Sequence, residues 1–133
     1  MLGDSPVHPT LPCVDLEAAR KFYGDTLGLK EVPLPGYSEK AASMGALYEC
    51  GQGTMLFVYI RPEPSKADNT AANWMVADVD AVADELISRG LKLETYDMPD
   101  MQFDAKGVAT MGEVKGAWIK DPDGNILSFT QAA

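Results

Sequence analysis

Few side chains in this 133-residue chain are equipped for chemistry. There is one histidine, His8, and there are two cysteines, Cys13 and Cys50. A lone histidine reads either as a hydrogen-bonding pocket residue or as a plain strand residue. Each cysteine lies in or beside a predicted strand, and their spacing matches no zinc or redox motif. They read as buried free thiols. No paired carboxylates and no nucleophile–base pair stand out. What remains is a set of aromatic, thioether and small polar residues, and the strands that carry them decide whether they meet.

The closing stretch, Lys115 to Gln131, is the clearest of those elements. Two short apolar strands flank Asp121-Pro122-Asp123-Gly124. Pro pre-sets φ at the first central position, Asp suits the next, and Gly takes the left-handed residue. This predicts a type I turn with a glycine bulge. Asp121 then faces Asn125, Lys120 faces Ile126, Ile119 faces Leu127 and Trp118 faces Ser128. By strand parity Ala117, Ile119, Leu127 and Phe129 point to a helix-backed core, and Trp118, Ile126, Ser128 and Thr130 point the other way.

Size and charge bound the answer. One ordinary domain spanning 1–133 can bury a real core. No apolar run reaches the length of a membrane span. The opening Met-Leu-Gly-Asp-Ser-Pro carries no basic or apolar signal region, so the chain is expected in the cytoplasm. The formal net charge of −9 argues against nucleic acid, which needs clustered Lys and Arg.

Taken in order, the chain reads as two similar halves. Val7–Val14 is a first strand, with two prolines that suit a sheet edge. Asp15 caps a helix over Leu16–Leu27, which Gly28 ends. Lys30–Leu34 is a strand, Pro35–Lys40 a loop, and Gly45–Cys50 with Thr54–Ile60 a hairpin. Arg61–Asn69 is polar and proline-containing, the best linker. Ala72–Val76 is then a strand, and Asp78 caps a helix whose Val79, Val82, Leu86 and Ile87 face inward. Gly90 stops that helix, Lys92–Tyr96 is a strand, and a long loop runs to about Glu113. Val14-Asp15-Leu16 matches Ala77-Asp78-Val79, and Gly28-Leu29-Lys30 matches Gly90-Leu91-Lys92. This is an internal duplication of a βαβββ module, about 5–62 and about 70–131. One such unit cannot cover both faces of its sheet.

The opening His8-Pro-Thr-Leu-Pro-Cys-Val-Asp15-Leu16, the helix end Phe22-Tyr23-Gly-Asp-Thr-Leu27-Gly28-Leu29 and the ending Asp121-Pro-Asp-Gly-Asn125-Ile-Leu resemble the vicinal-oxygen-chelate superfamily. That group includes glyoxalases, bleomycin-resistance proteins and extradiol dioxygenases. The resemblance implies an α+β fold of two tandem βαβββ modules, whose curled mixed sheets surround a cup, and pairing into a homodimer. It also implies four ion-holding strand positions in metal-dependent members. These fall on His8, Phe57, Ala71 and Ser128. Only His8 is a donor of the expected kind, and about three protein ligands are needed for a catalytic ion. No family-standard metal site and no cofactor are therefore expected. Glu49 or Glu113 would be needed for an unusual one.

Parity then gives the cup lining: His8, Thr10, Met55, Phe57, Tyr59, Asn73, Met75, Trp118 and Ser128. Apolar walls with a few placed polar groups suit a small organic ligand. Met98, Met101 and Phe103 sit on the long loop where they can close over the opening. The same side chains also suit a dry core or a dimer seam, and for Phe57 and Met75 both readings stay open. Two functions follow. The first is a binding protein that sequesters a small molecule, as bleomycin-resistance proteins do. The second is an enzyme, a lyase, isomerase or dioxygenase, with a non-standard metal site or with metal-free acid–base chemistry.

Overall fold

The computed structural model describes residues 1–132. The chain divides into two compact units. The first is Met1–Ala67 with Pro122–Gly124, and the second runs from Asp68 to Asp121 and from Asn125 onward. Each is built on one mixed sheet, of four strands in the first and five in the second. Neither sheet closes on itself.

The first unit contains β1 (Thr10–Cys13), α1 (Leu16–Arg20), β2 (Lys30–Val32), α2 (Glu39–Ala42), β3 (Gly45–Glu49) and β4 (Met55–Ile60). The sheet order is β1-β4-β3-β2, with β1 parallel to β4 and the other pairs antiparallel. Asp15 starts α1, its Oδ1 accepting from the N–H groups of Glu17 and Ala18. From Lys21 to Thr26 the helix widens into a π-helix. Leu16, Ala19, Phe22 and Tyr23 are buried. Gly28 has φ +73°, the left-handed residue that ends the helix. Arg20 pairs with Glu17 on its own helix and with Glu31 on β2, and both hold its guanidinium pKa above the ordinary value.

Two boundaries differ from expectation. The first strand is four residues, not Val7–Val14, so His8 precedes it and is exposed. Pro9 and Pro12 have no N–H to give a ladder, which leaves β1 short and at the sheet edge. The predicted loop over Pro35–Lys40 leads into a helical turn, α2, because Ser38 Oγ accepts from Ala41 N–H and caps it.

The second unit contains β5 (Thr70–Met75), α3 (Val79–Ser88), β6 (Gln102–Phe103), β7 (Ala109–Met111), β8 (Val114–Lys120) and β9 (Ile126–Gln131). Its order is β5-β9-β8-β7-β6, with β5 parallel to β9. The β8–β9 pairing follows the expected register from Lys120–Ile126 through Trp118–Ser128. Asp121 is buried, and its carboxylate accepts from the N–H of Asn125 at 2.9 Å and from its Nδ2 at 2.7 Å. Gly124 has φ +85°. Ile126 to Phe129 are buried on both faces, not only at Leu127 and Phe129.

Three details depart from the sequence reading. On α3 the buried stripe is Val79, Ala83 and Leu86, while Ile87 is 39% exposed. Positions 79, 83 and 86 share one helical stripe, and 87 lies beyond its margin. The predicted strand Lys92–Tyr96 shrinks to one bridge, Glu94 N–H donating to the Trp118 carbonyl at 2.8 Å. The long loop contains β6 and β7, with β7 pairing along Val114–Gly116. Among the described residues no helix is long and apolar enough to cross a membrane.

Candidate functional site

Strand register in the second unit assembles one polar and aromatic face. β5 and β9 align Asn73 with Ser128, and β9 and β8 align Ser128 with Trp118. Ser128 Oγ donates to Asn73 Oδ1 at 2.6 Å, and Asn73 Nδ2 donates to Thr130 Oγ1 at 3.1 Å. Met75 is 69% exposed, with its sulfur accepting from Thr130 Oγ1 at 3.2 Å and from Asn73 Nδ2 at 3.4 Å. Asn73, Met75, Trp118 and Ser128 are therefore brought onto one side of one sheet, as parity predicts.

A bulge in β5 completes this face. Thr70 pairs with Ile126 and Ala72 with Leu127, so Ala71 has no ladder partner. The extra residue turns Thr70 to the side of Trp118. Trp118 Nε1–H donates to Thr70 Oγ1 at 3.1 Å. Tyr96 meets Trp118 edge-on, with centroids 5.7 Å apart at 90°, and Phe103 lies tilted at 6.1 Å. A cavity of about 240 Å³ opens here, lined by Asp68, Asn69, Thr70, Tyr96, Met98, Met101, Trp118 and Ile126.

Tyr96 carries an unusual group. Its hydroxyl is buried and has no hydrogen-bond partner among the described residues. Burial, and then the charge of Glu94, hold its pKa above the ordinary value, so it stays protonated. Sequence reasoning missed Tyr96, Thr70, Asp68 and Asn69. It had given 68 and 69 to a linker, and nothing in the letters announces a bulge at Ala71. The loop residues Met98 and Met101 do line the cavity, and Phe103 reaches it only through Trp118.

The other predicted site residues belong to the first unit. Thr10 pairs with Phe57, and Met55, Phe57 and Tyr59 share one side of β4. Phe57 and Tyr59 stack at 6.2 Å, nearly parallel at 6°. Phe57 also lies over Gly45, where an added Cβ would come within 2.7 Å of the ring. Its ring thus fills space on the sheet, and both are half-buried. Tyr59 borders a separate opening of about 550 Å³ along Pro12 and Arg61–Ser65. His8 and Thr10 are exposed, and the Thr10 hydroxyl donates to the His8 carbonyl at 3.5 Å.

The four ion-holding positions implied by the resemblance do not fit a divalent ion. The Phe57 ring and the Ala71 methyl have no ligating lone pair. The hydroxyl of Ser128 is committed to Asn73. Among the described residues no group of three or more His, Cys, Asp or Glu is placed to hold a metal.

The comparisons with known proteins agree with the fold. A glyoxalase-family protein from Bacillus anthracis superposes with a TM-score of 0.74 at 23% identity, covering 98% of this chain and 96% of that one. A lactoylglutathione lyase from Agrobacterium tumefaciens gives 0.64 at 22%, covering 96% and 93%. A glyoxalase/bleomycin resistance protein/dioxygenase from Alicyclobacillus acidocaldarius gives 0.64 at 18%, covering 97% and 92%. At these identities the likeness is one of fold. No curated protein matches. The family model described as Glyoxalase/Bleomycin resistance protein/Dioxygenase superfamily matches residues 5–129, and the chain belongs to that superfamily.

Proposed function

We propose that this chain is a binding protein that holds a small organic molecule in the second unit's cavity, acting in the cytoplasm as a homodimer. The observation that carries the reading is the wall of that cavity. Trp118, Tyr96, Met98, Met101 and Ile126 supply apolar surface, and Asp68, Asn69 and Thr70 supply a few polar groups. That mixture is typical of small-ligand sites. Asn73, Ser128 and Met75 extend the same face as further contact residues. On the first unit the same reading gives ligand contact to His8, Thr10, Met55, Phe57 and Tyr59.

The test is a thermal-shift screen over small aromatic and thioether compounds, repeated with Trp118→Ala. The ring is only half-buried, so its loss costs about 2 kcal/mol, less than a fully buried tryptophan. The variant should fold and lose ligand-induced stabilisation. Unchanged ligand shifts would remove Trp118 from the site, and Tyr59→Ala tests the first unit in the same screen.

A second reading, an enzyme working without metal, has one observation in its favour. The protonated, unpartnered Tyr96 hydroxyl sits on a side chain that lines the cavity, where it can donate to a carbonyl oxygen. Any turnover found in such a screen should fall by about a hundredfold or more in Tyr96→Phe. Turnover that survives the change would exclude Tyr96 as the acid.

A further inference from the structure

The charge of the Trp118 cavity's lining is one-sided. Its aromatic N–H, on Trp118, is already given to Thr70 Oγ1. Asn69 Nδ2 gives one of its two N–H groups to the Thr70 carbonyl at 3.3 Å, and Asn69 Oδ1 adds an acceptor. Asp68 adds a carboxylate, and no lysine or arginine lines the cavity.

The basic residues of this unit are mostly committed elsewhere. Lys106 pairs with Asp84 and Asp80, Lys115 with Asp80, Lys120 with Glu94 and Arg89 with Glu85. Lys92 is exposed and is not in the lining. The whole chain carries −9. An anion entering this cavity would meet the Asp68 carboxylate and no counter-charge. A planar cation would meet a carboxylate and an indole π-system, and aromatic faces attract cations. A volume of about 240 Å³ lies below the range of sites for drug-sized ligands, so the ligand is limited to about two fused rings.

We infer that the cavity takes a small planar aromatic cation bearing N–H donors, stacked on Trp118 and directed to the carboxylate of Asp68. This rests on the binding reading above and assigns its ligand class. It also sets the site against bulky polyanions such as glutathione conjugates.

The experiment is isothermal titration calorimetry on the full chain with four probes of one ring size. These are 4-aminoquinoline, which is cationic at neutral pH, N-methylquinolinium, which is cationic without an N–H, neutral 1-naphthylamine, and 1-naphthoate. The aminoquinolinium should bind roughly tenfold tighter than 1-naphthylamine, N-methylquinolinium should fall between them, and 1-naphthoate should be weakest. Asp68→Asn, an exposed change, should remove most of the cation preference. Trp118→Leu, which keeps apolar bulk, should weaken both cations more than the neutral amine. If naphthoate binds as well as the aminoquinolinium, or the preference survives Asp68→Asn, the charge inference is overturned while a Trp118-dependent cavity stands. If no probe binds, or binding ignores Trp118, both the inference and the binding reading fail.

Discussion

Among the described residues two tyrosines bury hydroxyls without partners, and they invite different explanations. Tyr96 lines a cavity, so its hydroxyl lies on a side chain beside space that a ligand can enter. Tyr48 lies in the first unit's core at 1% exposure, against Tyr23 at 5.9 Å, where nothing can enter. An unsatisfied buried hydroxyl carries a desolvation cost. Tyr48→Phe should therefore raise stability by about 1 kcal/mol in urea unfolding. Burial, and then Glu31, push the Tyr48 pKa up to about 12 from 10.0. The unfolded chain releases this proton first, so this contribution to stability is full below pH 10 and drains away as pH rises to about 12. Alkaline unfolding followed by circular dichroism should show that loss in the native chain. Tyr48→Phe should lack this part of it, and identical alkaline curves would show that Tyr48 ionises freely.

At the scale of the element, the β8–β9 hairpin shows what local chemistry can specify. Asp121 binds both the backbone and side-chain amide of Asn125 from a buried position. Asp121→Ala removes the buried acceptor of both bonds and should cost about 2–3 kcal/mol, read as a shift in the urea midpoint with an unchanged slope. A change under 0.5 kcal/mol would mean that the turn holds its shape through Pro122 and Gly124 alone. This hairpin was legible because Asp-Pro-Asp-Gly dictates its own turn, and the turn then sets every pair back to Lys115–Gln131. The caps at Asp15 and Asp78 were legible for the same reason. The first strand was not, because prolines disrupt a ladder without saying where it resumes. Lys92–Tyr96 was misjudged because a strand exists only where a neighbour accepts it, and β7 lies along the start of β8. Tyr96 joined the site through tertiary packing on Trp118, which no periodicity encodes.

For the whole molecule, the duplication visible in matching triplets reappears as two sheets with the same parallel pair, β1 with β4 and β5 with β9. The copies have diverged in what they carry: stacked Phe57 and Tyr59 in one, an amide–hydroxyl network and an indole in the other. The proposed homodimer makes a direct prediction. Sedimentation velocity at micromolar concentration should give twice the chain mass, and a single monomeric boundary would dismiss it. With a net charge of −9, self-association should strengthen as salt screens the repulsion.

The unpaired Ala71 has a larger effect than its methyl group suggests. It acts as a spacer that sets the phase of everything upstream in β5. With it, Thr70 reaches the Trp118 N–H. Were the bulge ironed out so that Ala71 itself paired with Ile126, Thr70 would fall on the opposite side, leaving the indole proton to solvent. The Trp118 Nε1–H resonance would then move and exchange faster, reporting whether one residue that contributes no chemistry of its own stays out of the ladder.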